Sequence, residues 1–113
     1  MANEITTQVD LMRPLGQQLS PQERETHRNW IAGRAFTLLS HGYQKDRTTG
    51  EIRAMAKDWC DVLEDVPREI IQRASVEFQR TADKATPTPS RIYAICKRIL
   101  FDERKRIIEA RYG

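Results

Sequence analysis

Residues 59–89 read W-C-D-V-L-E-D-V-P-R-E-I-I-Q-R-A-S-V-E-F-Q-R-T-A-D-K-A-T-P-T-P, and their pattern fixes the fold. Trp59 and Leu63 end one apolar helical stripe. Val66-Pro67 then breaks it, because a residue before proline is pushed out of the α region. Proline is tolerated in the first turn of the next helix, and Glu69 suits that helix's positive end. Ile70, Ile71, Ala74, Phe78 and Ala82 supply a second seam. Thr88-Pro89 starts a third helix by pairing a capping residue with proline at the first helical position. Short connections between such helices favour packing against sequence neighbours.

The same logic extends outward. Upstream, Ile52, Met55, Ala56, Trp59 and Leu63 recur at i, i+3, i+4, i+7 and i+11, which predicts a helix over about 51–64 with Thr48 or Thr49 as cap. A polar loop, 44–50, precedes it. Ser20, Pro21 and Glu23 form a capping-box start for a helix over about 21–41. Ala32, Ala35, Phe36, Leu39 and Tyr43 are its expected buried face, and Gly42 is its stop. Helices are likewise expected over about 67–82 and 89–111. In the last one, Ile92, Ile95, Cys96 and Ile99 keep the 3.6-residue period, but the next positions, Glu103 and Arg106, are charged. Leu100-Phe101 and Ile107-Ile108 flank D-E-R-K-R instead. This helix should leave the core after about residue 101 and project. Residues 1–19 show no sustained period and read as a mobile N-terminal arm. No strand-like alternation occurs. The expected fold is therefore all-α: a flexible arm, 1–19, and a single helical domain, 20–113, built as a small four-helix bundle with a projecting basic C-terminal helix. Its expected core is Phe36, Leu39, Tyr43, Ile52, Met55, Trp59, Leu63, Ile71, Phe78, Ile92, Ile95 and Ile99.

A chain of 113 residues suits one domain. It has no apolar run near the ~18 residues that span a bilayer, and M-A-N-E-I-T-T-Q-V-D lacks the layout of a signal peptide. The expectation is a cytoplasmic protein without a membrane partner. Cys60 and Cys96 form no C-x-x-C pair and read as small buried hydrophobes. His27 and His41 lack metal-ligand spacing and are expected on helix surfaces or ends. Asp58, Asp61, Glu64 and Asp65 read as a solvated acidic face. A G-x-x-x-x-G-K-[ST] phosphate loop and a G-x-S-x-G elbow are both missing from the sequence. The expectation is a non-catalytic binding function with no metal and no cofactor.

Charge is unevenly spread along the chain. Residues 51–69 carry six acids against three bases, whereas residues 84–113 carry eight bases against three acids. The basic end is a candidate phosphate-binding surface through Arg91, Lys97, Arg98, Arg104, Lys105 and Arg106, since phosphate contacts need only positive charge within reach. Asp102, Glu103 and Glu109 interleave with these residues and temper the field. A small DNA-binding regulatory module using the basic helix is thus one reading. A protein that docks its apolar seam on a partner, and so inhibits it, is another.

Beyond these physical signals lies a resemblance. Tyr43 stands near the end of the first helix, and a polar loop follows. Then come A-x-x-W-x-x-x-L-x-D-x-P-x-E-I-I-x-x-A-x-x-x-F and P-T-P-x-x-I, carried by Ala56, Trp59, Leu63, Asp65, Pro67, Glu69, Ile70, Ile71, Ala74, Phe78, Pro87, Thr88, Pro89 and Ile92. Over roughly residues 36–98 this resembles the small all-helical loaders of phage replicative helicases. The resemblance implies a phage or prophage replication accessory protein. Such a protein would bind a replicative helicase and an origin-bound initiator and would not itself be an enzyme. Residues 100–112, helical and basic by pattern, stand where that family has a flexible helicase-contacting tail. Carried over, the partner surface would be Leu100, Phe101, Arg104, Ile107 and Ile108, with Trp59–Phe78 as scaffold.

Overall fold

The structure is a computed structural model and describes residues 9–40, 47–81 and 85–112. These residues form four α-helices and one 3₁₀ turn, with no strand among them. The helices are α1 (Pro21–Leu39), α2 (Thr49–Leu63), α3 (Arg68–Thr81) and α4 (Pro89–Tyr112), and the 3₁₀ turn is Leu15–Gln17. The all-helical bundle expected from the pattern is what the chain forms. Both capping boxes are complete. The Ser20 hydroxyl accepts from the Glu23 N–H and the Glu23 carboxylate from the Ser20 N–H, and Thr48 and Glu51 repeat the arrangement at α2. Each box satisfies donors that a helix start leaves without partners.

α3 packs most extensively on α4, α1 on α2, and α2 on α4. Their shared core holds Trp59 and Leu63 from α2; Ile70, Ile71, Ala74 and Phe78 from α3; and Ile92, Cys96, Ile99 and Leu100 from α4. Val66, at the break before Pro67, is buried too. Met55 and Ile95 are half-buried against this cluster. Ser75 lies at the centre, and its hydroxyl donates to the Ile71 carbonyl at 2.8 Å, so it enters the core satisfied.

α1 departs from expectation. Its buried line is His27, Ile31, Ala35, Leu38 and Leu39. Phe36 is only half-buried, as is Ile52 on α2, and neither joins the core cluster. Tyr43 and His41 lie outside the described residues. His27, expected on the surface, is instead buried, with Nε2 2.9 Å from the Val66 carbonyl. That distance requires an N–H on Nε2, which the neutral ring supplies. Trp30 stacks parallel to the imidazole, and the Arg68 guanidinium lies 5.0 Å from the Trp30 ring centre. Three layers thus bind α1 to the start of α3.

Residues 9–19 are not a free arm, and residues 1–8 lie outside the described part. The Gln18 side chain closes residues 10–18 into a loop. It accepts from the Asp10 N–H and donates to the Asp10 carbonyl, both at 2.8 Å. Arg24 of α1 donates to this loop's Gly16 carbonyl at 2.8 Å, and the loop is docked at two further places. At one, Leu15 is buried and its N–H donates to the Asp65 carbonyl at 3.1 Å, while the Gly16 N–H donates to the Asp65 carboxylate at 3.0 Å. At the other, Arg104 Nε donates to the Leu11 carbonyl at 2.6 Å. Leu11 packs against the core.

Candidate interaction surface

Residues of the acidic middle are partly occupied inside the molecule. Arg28 of α1 reaches Asp61 and Glu64 of α2, each at 3.0 Å, and Lys57 reaches Asp61 at 2.7 Å. Burial works against the Arg28 charge, but its hydrogen bonds to Asp61 and Glu64 outweigh that and raise its pKa. The hydrogen bond from Lys57, then that from Arg28, holds the Asp61 carboxyl below its ordinary value. Asp65 holds the N-terminal loop. This face therefore ties α1, α2 and residues 9–19 together. Among the described residues, no three His, Cys, Asp or Glu side chains gather as metal ligands. Both thiols are free and buried. Burial pushes Cys96 up to about 12 and raises Cys60 as well, so neither is poised as a thiolate nucleophile.

α4 carries the exposed features. It is a 24-residue helix, about 36 Å long at 1.5 Å per residue, and nothing after Leu100 on it is fully buried. The five residues expected to form a partner surface separate into three groups. Leu100 is 7% exposed and belongs to the core. Arg104 is half-buried and committed to the Leu11 carbonyl. Phe101 and Ile108 are open, at 67% and 45% exposure, and Ile107 is half-buried beside them. Tyr112, at 82%, extends the open line. Phe101, Ile108 and Tyr112 stand at i, i+7 and i+11, one face of the helix. Lys97 and Lys105, both exposed, sit four residues either side of Phe101 on that face. The Lys97 ammonium rests 5.7 Å from the Tyr93 ring centre.

The six basic residues of the candidate phosphate surface do not form one patch. Arg91 lies in the first turn, Lys97 and Lys105 on the outer face, and Arg104 on the flank against the N-terminal loop. Arg98 and Arg106 turn towards α3. There they line a groove of about 430 Å³ with Arg73 and Arg80 of α3, and Val76 and Ile99 also line it. Arg98 pairs with Glu77 and lies 3.8 Å from Asp102. Glu103 accepts from Arg73 at 3.0 Å and from Arg106 at 3.4 Å. Arg73 and Arg80 were not anticipated as site residues, although their seven-residue spacing with Glu77 between them marks a charged helix face. Tyr112 carries no periodic signal of its own, because the repeated apolar pair ends at Ile107-Ile108.

Comparison with protein-family models, curated proteins and solved structures finds no match. Meaning must therefore come from the surface itself. No helix among the described residues is long and apolar enough to cross a membrane. What the arrangement offers is a rigid core and two outward features on one helix. One is an apolar line edged by lysines, and the other is an arginine-lined groove.

Proposed function

We propose that this chain is a non-catalytic replication adaptor of the helicase-loader kind. In this reading it is a phage or prophage protein acting in the cytoplasm, and it binds a replicative helicase while also engaging an origin-bound initiator. The observation that carries the reading is the outer face of α4. Phe101, Ile108 and Tyr112 stand in solvent on a helix whose root is locked into the core by Ile92, Cys96, Ile99 and Leu100. Exposed apolar residues in line on an anchored helix suit helix-face docking, with anchors at helical spacing and charges at the rim. The flanking Lys97 and Lys105 favour an acidic partner surface. Tethering would be the mechanism. Holding helicase and initiator on one small body raises their effective concentration without any chemistry.

The test is complex formation between the purified chain and a panel of phage and bacterial hexameric replicative helicases, followed by size-exclusion chromatography. Co-elution with a helicase is expected, and Ile108→Asp should weaken the complex at least about tenfold, as loss of a central apolar anchor does. Thermal unfolding of that variant should match the parent. If no helicase in the panel co-elutes, or if Ile108→Asp binds as well as the parent, the reading fails.

A further inference from the structure

We propose that the groove between α3 and α4 binds a single strand of DNA. Two helices supply four arginines to one cleft: Arg73 and Arg80 from α3, Arg98 and Arg106 from α4. Two carboxylates, Glu77 and Asp102, also line it, so cations outnumber anions there. The carboxylates do not exhaust the cations. A guanidinium carries five N–H donors in a rigid fork, and a carboxylate takes two of them at most. Arg98 is held by Glu77, and Arg73 and Arg106 by Glu103. Each acid occupies only part of its fork, so unpaired donors remain on Arg73, Arg98 and Arg106. Arginine forks match phosphate oxygens better than lysines do.

Phe101 determines the kind of nucleic acid. It does not line the groove, but it stands three residues past Arg98, which does, so the two are neighbours on the helix surface, and it is 67% exposed. An exposed aromatic ring beside a cationic track is the arrangement that takes unpaired bases, because stacking needs a free base face, which a duplex hides. Lys105, four residues past Phe101 and exposed, adds positive charge beside the ring on the outer face. The choice of DNA over RNA rests on the replication reading above; the groove chemistry itself does not.

The test is fluorescence anisotropy of a labelled dT20 strand with the full chain, from 50 to 200 mM salt. Binding should weaken with salt at a log–log slope of up to about −2.8, roughly 0.7 for each of four phosphate contacts. Phe101→Ala should weaken it about tenfold, the loss of one stacked base. The pair Arg73→Ala/Arg106→Ala should weaken it and cut the slope by about 1.4. A control pair of equal charge loss, Arg13→Ala/Arg53→Ala, lies outside the groove lining and should change little. The proposal is overturned by absent binding at 50 mM salt, by a control pair as damaging as the groove pair, or by a blunt duplex binding better than the strand. Equal competition by a poly-glutamate peptide would make the groove a protein site, and tighter binding of rU20 would replace DNA with RNA; either result also overturns it. The helicase complex is read separately, since the Arg73/Arg106 pair spares Ile108. Loss of strand binding with helicase binding intact isolates the groove, and the reverse isolates the outer face of α4.

Discussion

At the scale of the residue, His27 sets how stability responds to pH. Burial lowers its pKa from the ordinary 6.5; the Val66 carbonyl opposes this, and nearby Arg68 adds to the lowering. In the unfolded chain the imidazole takes up a proton near pH 6.5, while in the folded chain it resists until lower pH. Between those two values the unfolded state holds more protons, so stability is full above pH 6.5 and falls as pH drops below it. Urea unfolding measured from pH 7.5 to 5.5 should show this decline, and His27→Gln should flatten it. An equally steep decline in the variant would assign it to other groups. This role was not legible beforehand. A single histidine among Thr26, Arg28 and Asn29 looks polar, and the carbonyl that receives it is 39 residues away.

At the scale of the element, three helices were readable and one was readable only in part. α2, α3 and α4 as far as Leu100 each carry a main apolar stripe that becomes the buried face, while Val62, Val76, Tyr93 and the apolar residues after Leu100 stand off it. α1 carries Trp30, Ile31, Ala32, Ala35, Phe36, Leu38 and Leu39, which wrap well beyond one face. Two registers then satisfy the same period, one through Ala32 and Phe36, the other through Ile31, Ala35 and Leu38. Packing against Trp59, Leu63 and Ile71 selects the second. The start of α1 is legible because Ser20, Pro21 and Glu23 act locally, whereas its end comes at Leu39 with Ser40 as cap, and the expected stop, Gly42, lies outside the described residues. Ile31→Ala should cost about 2–5 kcal/mol, as for a fully buried side chain, and Phe36→Ala clearly less. Chemical denaturation of the two variants measures both, and a larger loss at Phe36 would reverse the register.

At the scale of the whole molecule, the loop of residues 9–19 joins distant parts of the chain. It had no signature in the sequence because its contacts are not periodic. They run from backbone groups of Leu11, Leu15 and Gly16 to Arg104, Asp65 and Arg24. The candidate site was legible to a similar degree. The exposed tip of α4 follows from a stripe that stops, whereas the groove needed α3 and α4 side by side before Arg73 and Arg80 could be grouped with Arg98 and Arg106. Gly16 is the sensitive joint in the loop. A Cβ there would collide with the Asp65 carboxylate that accepts its N–H. Gly16→Ala should displace that carboxylate and cost about 1 kcal/mol, the worth of a hydrogen bond. Hydrogen exchange should quicken over residues 10–18 while α3 stays protected. Unchanged exchange there would mean that Asp65 does not hold the loop.

The contact from Arg104 to Leu11 has one more consequence. Its partners are 93 residues apart in sequence, whereas Gly16 and Asp65 are 49 apart. During translation the loop's partners therefore become available in order, Arg24 first, then Asp65, and Arg104 last. At about 5–20 residues per second, the Leu11 carbonyl waits on the order of 5–20 s for its guanidinium. Until then the loop is unheld on that flank, so the nascent chain completes its tertiary structure only when the helix bearing the proposed partner surface has been made.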